Sequence, residues 1–319
     1  MRSELQSISR NRTWELVKLP PGQRPIGLKW VFKLKRNANG EVIKHKARLV
    51  EKGYVQKQGV DFEEVFAPVA RLDIVRMILA IAANRGWQVH HLDVKTAFLN
   101  GELAEDVYVS QPEGFVEKGK EHMVLKLSKA LYGLKQAPRA WNIKLDSSLK
   151  KLGFRRCVTE PAVYIKGTGQ SALMVGVYVD DLIVTGGEPA EIAVFKKQMT
   201  SKFEMSDLGK LSFYLGIEVE QETDCITIKQ TGYAKKVLSR FGMENCNPTK
   251  IPISPGTVLH DDKDGRPIDA TEYRRVVGCL RYLLHTRPDL AFSVGMASRF
   301  MERPTVMHQC AVKHILRYL

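Results

Sequence analysis

The chain has little that would make it a secreted, membrane-spanning or zinc-stapled protein. Its 319 residues include five cysteines, at 157, 225, 246, 279 and 310, an odd number with no Cys-x-x-Cys pair. That pattern argues for a reducing compartment and against a disulfide framework or a structural zinc site. No apolar run approaches the roughly 20 residues that a spanning helix needs. The opening "MRSELQSISRNRTW" has no apolar signal core, so neither a membrane nor secretion is expected. Internal repeats and low-complexity segments are lacking. The eight histidines, His90-His91 among them, show no metal-ligand spacing and receive no role.

Acidic residues are also in deficit. Against 49 Lys and Arg stand 35 Asp and Glu, a net charge of +14. The excess is uneven: residues 1–60 hold 14 Lys and Arg against 4 Asp and Glu, +10 of the total. A phosphate-bearing ligand met by the N-terminal region explains this, and a soluble basic surface explains it equally well. The remaining composition, 44% hydrophobic and 26% charged, is that of a folded protein long enough for more than one domain.

Residues 28–50, "LKWVFKLKRNANGEVIKHKARLV", predict a hairpin, with apolar alternation on both sides of Asn39-Gly40, whose residues tolerate positive φ. Lys33, Lys35, Arg36, Lys44, Lys46 and Arg48 cluster on it. In "RLDIVRMILAIAANRGW" a helix places Leu72, Val75, Leu79 and Ala82 on one face, capped by Asp73 and stopped by Gly86. A strand follows from about Gln88 into Asp93. Pro138 opens a helix with Trp141, Leu145, Leu149 and Leu152 on one face. Strands around a Gly-rich turn lead to a reversal at Asp180-Asp181. Pro189 opens a helix bearing Ile192, Phe195, Met199 and Phe203. "SFYLGIEVEQETDCITIKQ" predicts two further strands. From 88 to 219 the order is strand, helix, paired strands, helix, strand, the split β-α-β pattern of a ferredoxin-like sheet.

"VGVYVDDLIVTGG" sets two adjacent carboxylates, Asp180 and Asp181, in an apolar run. Buried and unpaired they would be costly, so the pair is either a solvated turn or a cation site. In a split β-α-β sheet the first strand can lie beside the central hairpin, which brings Asp93 to them. Three converging carboxylates suit Mg²⁺ or Mn²⁺ better than zinc. Two such ions a few Å apart suit in-line phosphoryl transfer.

The motifs "KWVFKLKRNANGEVIKHKARLV", "EVFAPVARL", "LDVKTAFLNGEL", "LYGLKQAPRAW", "YVDDLIVTG", "FYLGIEV" and "TRPDLAFSVG" stand in one order along nearly the whole chain. In that ordered set the chain resembles the reverse transcriptase domain of copia-type LTR retrotransposon Pol polyproteins. The resemblance implies an α+β, right-hand polymerase fold with a ferredoxin-like palm. Fingers would span 1–75 and 104–137, palm 76–103 and 138–222, thumb 223–288, and the start of a connection toward RNase H 289–319. It implies an RNA-directed DNA polymerase, using two Mg²⁺ or Mn²⁺ ions, template-primer and deoxynucleoside triphosphates. The runner-up is a nucleic-acid-binding remnant without catalysis, and a nucleotide cyclase on a similar palm is weaker still.

The resemblance also implies site residues. Asp93 and Asp180 would be the principal metal ligands, with Asp181 behind them and the Val94 carbonyl as a backbone ligand. Phe98 would stack under the incoming sugar and exclude a 2′-hydroxyl, although a core aromatic fits the same spacing. Tyr132 and Gly133 would meet template and nucleotide, and Lys135 a phosphate, or simply water. Arg48 would grip the triphosphate with Lys35, whose place Lys33 or Arg36 could take; a basic solvent-facing strand is the plain alternative. Leu215 and Gly216 would turn a hairpin that positions the primer, and "TGYAKKVLSRFGM" would begin the thumb. Glu51 stands where a smaller residue is more usual. Nucleocapsid, protease, integrase and RNase H motifs are lacking, so a truncated copy is expected, with an intracellular location, in a cytoplasmic virus-like particle if the element is active.

Overall fold

The computed structural model describes residues 1–36 and 41–319. The elements run α1 (Arg2–Arg10), β1 (Trp14–Val17), β2 (Leu28–Arg36), β3 (Val42–Glu51), α2 (Leu72–Asn84), β4 (Val89–Val94), β5 (Glu102–Val109) and β6 (Val124–Lys129). Next come α3 (Ala137–Lys151), β7 (Arg155–Arg156), β8 (Val163–Lys166), β9 (Leu173–Tyr178), β10 (Asp181–Gly186), α4 (Pro189–Thr200) and β11 (Met205–Lys210). The chain ends with β12 (Phe213–Tyr214), β13 (Ile217–Gln221), β14 (Ile226–Lys229), α5 (Thr231–Arg240), α6 (Ala270–Leu283), α7 (Ala291–Ser298) and α8 (Val306–Tyr318). It is a mixed α+β protein with two compact units, Met1–Lys210 and Leu211–Leu319. No helix among the described residues is long and apolar enough to cross a membrane.

The first unit holds a six-stranded antiparallel sheet in the order β11-β4-β10-β9-β8-β7. Strand alternation decides what each face carries. Leu92, Val94, Val175, Val177, Leu182 and Val184 share one core with Trp141, Leu145 and Leu149 of α3 and with Ile192, Phe195 and Met199 of α4. Both helices therefore cover that face. Pro138 and Pro189 sit in the first turns of α3 and α4, where a missing N–H costs nothing. A second core joins α1, β3, β5 and β6 through Ile8, Leu49, Val107, Leu125 and Leu127.

The order β11-β4-β10-β9, with α3 and α4 as connections, realises the split β-α-β expectation with one correction. Its last strand is Met205–Lys210 and not the 213–219 segment. "MSDLGK" has no apolar alternation because it is an edge strand, half of it exposed. The stronger pattern in "FYLGIEV" belongs to the separate sheet β12-β13-β14. The unit boundary after Lys210 thus lies inside the stretch expected to be palm. Asp73 is also not the cap of α2: Arg71 holds that position, and Asp73 sits in the first turn. The Asn39-Gly40 turn lies outside the described residues.

The second unit packs α5–α8 around Val237, Tyr273, Val277, Leu280, Val294 and Ile315. Asp269 caps α6, accepting from the Thr271 and Glu272 N–H groups, a contact of a kind worth about 1 kcal/mol.

Candidate active site

The carboxylates meet at the paired ends of β4 and β10. Asp181 stands directly opposite Asp93 in the antiparallel register. The Val94 N–H donates to the Asp180 carbonyl at 2.8 Å. Residues 94 and 180 are therefore the hydrogen-bonded pair, and Asp93 and Asp181 form the non-hydrogen-bonded kind, whose facing side chains come closest. Asp180 sits one residue back, in the turn from β9. Burial pushes its carboxyl above the ordinary range, the charges of Asp181 and Asp93 push it further, and Arg48 opposes them. The turn is held in an unusual shape: Val179 has φ +56°, rare for a β-branched residue. The Trp141 indole N–H of α3 donates to its carbonyl at 2.7 Å.

Beside the acids lies a stack of three side chains. The Arg48 guanidinium carbon is 4.6 Å from the Tyr132 ring centroid. The Tyr132 and Phe98 centroids are 4.9 Å apart at 49°. Burial pushes the Tyr132 phenol up to about 12, so it stays protonated across the ordinary pH range. Backbone contact fixes the loop that carries Tyr132. The Glu51 N–H donates to the Tyr132 carbonyl at 2.7 Å. Gly133 has φ +101°, and a Cβ there would lie 2.3 Å from the Glu51 carbonyl oxygen. Only glycine fits that approach.

The expected residues divide into groups. Asp93, Val94, Asp180, Asp181, Arg48, Tyr132, Gly133 and Phe98 fall in one neighbourhood of the first unit. Phe98 lies in a short 3₁₀ turn, Ala97–Asn100. Lys135 turns away: its ammonium donates to the Gln56 carbonyl at 3.2 Å and covers the Phe62 ring. The backbone of Lys35 pairs with Lys44, and its side chain lies outside the described residues. Leu215 and Gly216, with φ +49° and +82°, turn β12 into β13 in the second unit. There the Tyr282 hydroxyl donates to the Leu215 carbonyl.

Two further groups, a histidine and a buried glutamate, stand close to the site. His91 Nε2 lies 2.8 Å from Asp181 Oδ1. Its neighbour His90 takes the opposite side, where Nδ1 meets the Lys196 ammonium at 3.0 Å. Burial, then Lys196, pulls the His90 imidazole below its ordinary value. The period of a strand was the available signal: His91 is two residues before Asp93, so it shares that side chain's face. Glu51 is 2% exposed, and among the described residues neither carboxylate oxygen finds a hydrogen-bond partner.

Among the described residues no group of three or more His, Cys, Asp or Glu is placed so that it could hold a metal ion. The donors are nevertheless hard oxygens of the right kind. Crowding of three like charges, visible in the raised Asp180 carboxyl, is what a divalent ion would relieve.

Comparison with known proteins agrees with the motifs. Residues 11–255 match the family described as reverse transcriptase (RNA-dependent DNA polymerase). The chain is 42% identical to the retrovirus-related Pol polyprotein from transposon TNT 1-94 of Nicotiana tabacum, over 100% of this chain and 25% of that one. It is 40% identical to the retrovirus-related Pol polyprotein from transposon RE1 of Arabidopsis thaliana, over 100% of this chain and 22% of the relative. Against the transposon Ty1-DR5 Gag-Pol polyprotein of Saccharomyces cerevisiae identity is 25%, over 93% and 17%. The chain thus spans about a quarter or less of the length of these relatives.

Proposed function

This chain belongs to the reverse transcriptase (RNA-dependent DNA polymerase) family, and from that premise we propose that it extends a primer 3′-hydroxyl with deoxynucleotides on an RNA or DNA template. The observation that carries the reading is the register pairing of Asp93 with Asp181, with Asp180 adjacent. Asp93 and Asp180 would hold two Mg²⁺ or Mn²⁺ ions, with Asp181 and the Val94 carbonyl as further oxygen donors. When bound, such ions lower the pKa of an attacking hydroxyl and offset charge on a leaving pyrophosphate.

The chain's own residues supply position. Arg48, with its rigid fork of donors, receives the triphosphate. Its guanidinium is seated on the Tyr132 ring. Phe98 and Tyr132 form the floor under the sugar, and Phe98 excludes a 2′-hydroxyl. Gly133 lets backbone approach the nucleotide. In this reading the β2-β3 hairpin belongs to fingers, the six-stranded sheet to the palm, and the second unit to the thumb and connection. In the larger polyprotein, integrase and RNase H would be its covalent partners, in a cytoplasmic particle.

Asp180→Asn tests the assignment. The variant loses Mg²⁺-dependent extension of a DNA primer on RNA. Its melting temperature is unchanged or higher, because a buried like-charge contact is gone. Extension at the wild-type rate would overturn the metal-ligand role. Salt-dependent template binding by a wild-type chain that incorporates nothing would favour the non-catalytic reading.

A further inference from the structure

Asp181 is hydrogen-bonded by a side chain from the neighbouring strand β4. His91 Nε2–H donates to its Oδ1 at 2.8 Å, in a setting where the imidazole is 12% exposed and the carboxylate 28%. Three facts of register make the contact specific. His91 and Asp93 are alternate residues of β4 and share a face. Asp181 pairs across from Asp93. His91 is paired with Ile183, so it reaches Asp181 along the diagonal. An unbranched two-torsion carboxylate at a strand end would otherwise sample several rotamers beside two like charges.

We propose that His91 is a positioning residue of the catalytic centre, holding the Asp181 carboxylate in the orientation from which it supports the divalent ions. The inference rests on the reading that the aspartates bind those ions. Its physical basis is that partners which hydrogen-bond a ligating carboxylate fix its direction, and their loss typically weakens metal affinity or activity by about 10–100-fold. His91 acts through Asp181, so its loss acts on metal use and turnover rather than on nucleotide binding.

The test compares His91→Leu with His91→Gln, whose Nε2 amide can reach the same oxygen. Mn²⁺ binding to the free chain, measured by calorimetry, weakens about tenfold in the leucine variant. In the glutamine variant it stays within about threefold of wild type. In primer extension the leucine variant needs roughly tenfold more Mg²⁺ for half-maximal rate, and its kcat falls while KM for the nucleotide is unchanged. If His91→Leu does not fold, His91→Asn replaces it, because its shorter amide cannot reach Asp181. Two results overturn the inference: unchanged Mn²⁺ affinity and Mg²⁺ profile without the imidazole, or a folded glutamine variant as poor as the leucine one. A wild-type chain that binds no Mn²⁺ overturns it as well. A wild-type chain that binds Mn²⁺ but extends no primer instead overturns the proposed function, and the calorimetry still decides the role of His91.

Discussion

Glu51 is the side chain whose chemistry agrees least with its surroundings. It alternates with the buried Leu49 along β3 and closes the strand under the Tyr132–Gly133 loop. Burial pushes its carboxyl well above the ordinary 4.5, and the charge of Asp61 pushes in the same direction. A carboxyl raised on folding adds stability below its unfolded value, and that stability is lost as pH rises through the folded value. Glu51→Gln keeps the shape and removes the ionisation. At pH 8 it stabilises the chain by on the order of 1–3 kcal/mol, and thermal melts show Tm higher by roughly 2–6 °C. At pH 4 the gap closes. A difference of the same size at both values would show that the carboxyl is not the cause. Sequence marked position 51 only as unusually large for the family. The loop that seals it comes from 80 residues further on, and no local pattern announces that closure.

At the scale of elements, the legible parts were those whose own periodicity matched their burial. The faces of α3 and α4 follow from spacing, because Trp141, Leu145, Leu149, Ile192, Phe195 and Met199 all enter one core. The partnership of β4 and β10 followed from the strand order and gave the acids their meeting point. The edge strand β11 leaves little periodic signal, since one paired side requires little apolar surface, whereas the 213–219 segment is the more hydrophobic. Lys135 shows the limit of motif spacing: it gives a residue type and a neighbourhood, not the group a side chain reaches, here the Gln56 carbonyl. The joint between α3 and the β9–β10 turn was likewise invisible, though it holds Val179 in its positive-φ state. Trp141→Phe keeps most of the ring packed against Phe203 but removes the N–H. The Val179 carbonyl then loses its donor at a cost of about 1–3 kcal/mol, read in urea melts. Primer extension falls by more than the small loss of folded population explains, because Asp180 follows Val179 directly. Proportional loss of both would assign Trp141 to stability alone.

For the whole molecule, the division after Lys210 has a consequence for binding. Among the described residues, the cores around Leu92 and around Leu49 lie wholly within residues 1–210, and the helical core around Val277 lies wholly beyond them. No strand of the six-stranded sheet is supplied from beyond Lys210. A fragment of residues 1–210 therefore folds with a cooperative melt of its own. Charge divides less evenly than mass. Residues 1–210 hold 34 Lys and Arg against 23 Asp and Glu, which is +11, and residues 211–319 hold 15 against 12, which is +3. If counterion release governs affinity for nucleic acid, log K falls with log salt by about 0.9 for each phosphate neutralised on duplex DNA. The fragment then retains most of the salt slope of the full chain, within about two units, in anisotropy titrations with a labelled template-primer. A folded fragment whose slope drops by more than half would place the phosphate contacts on residues 211–319, and the charge excess of the first unit would then be a solvated surface.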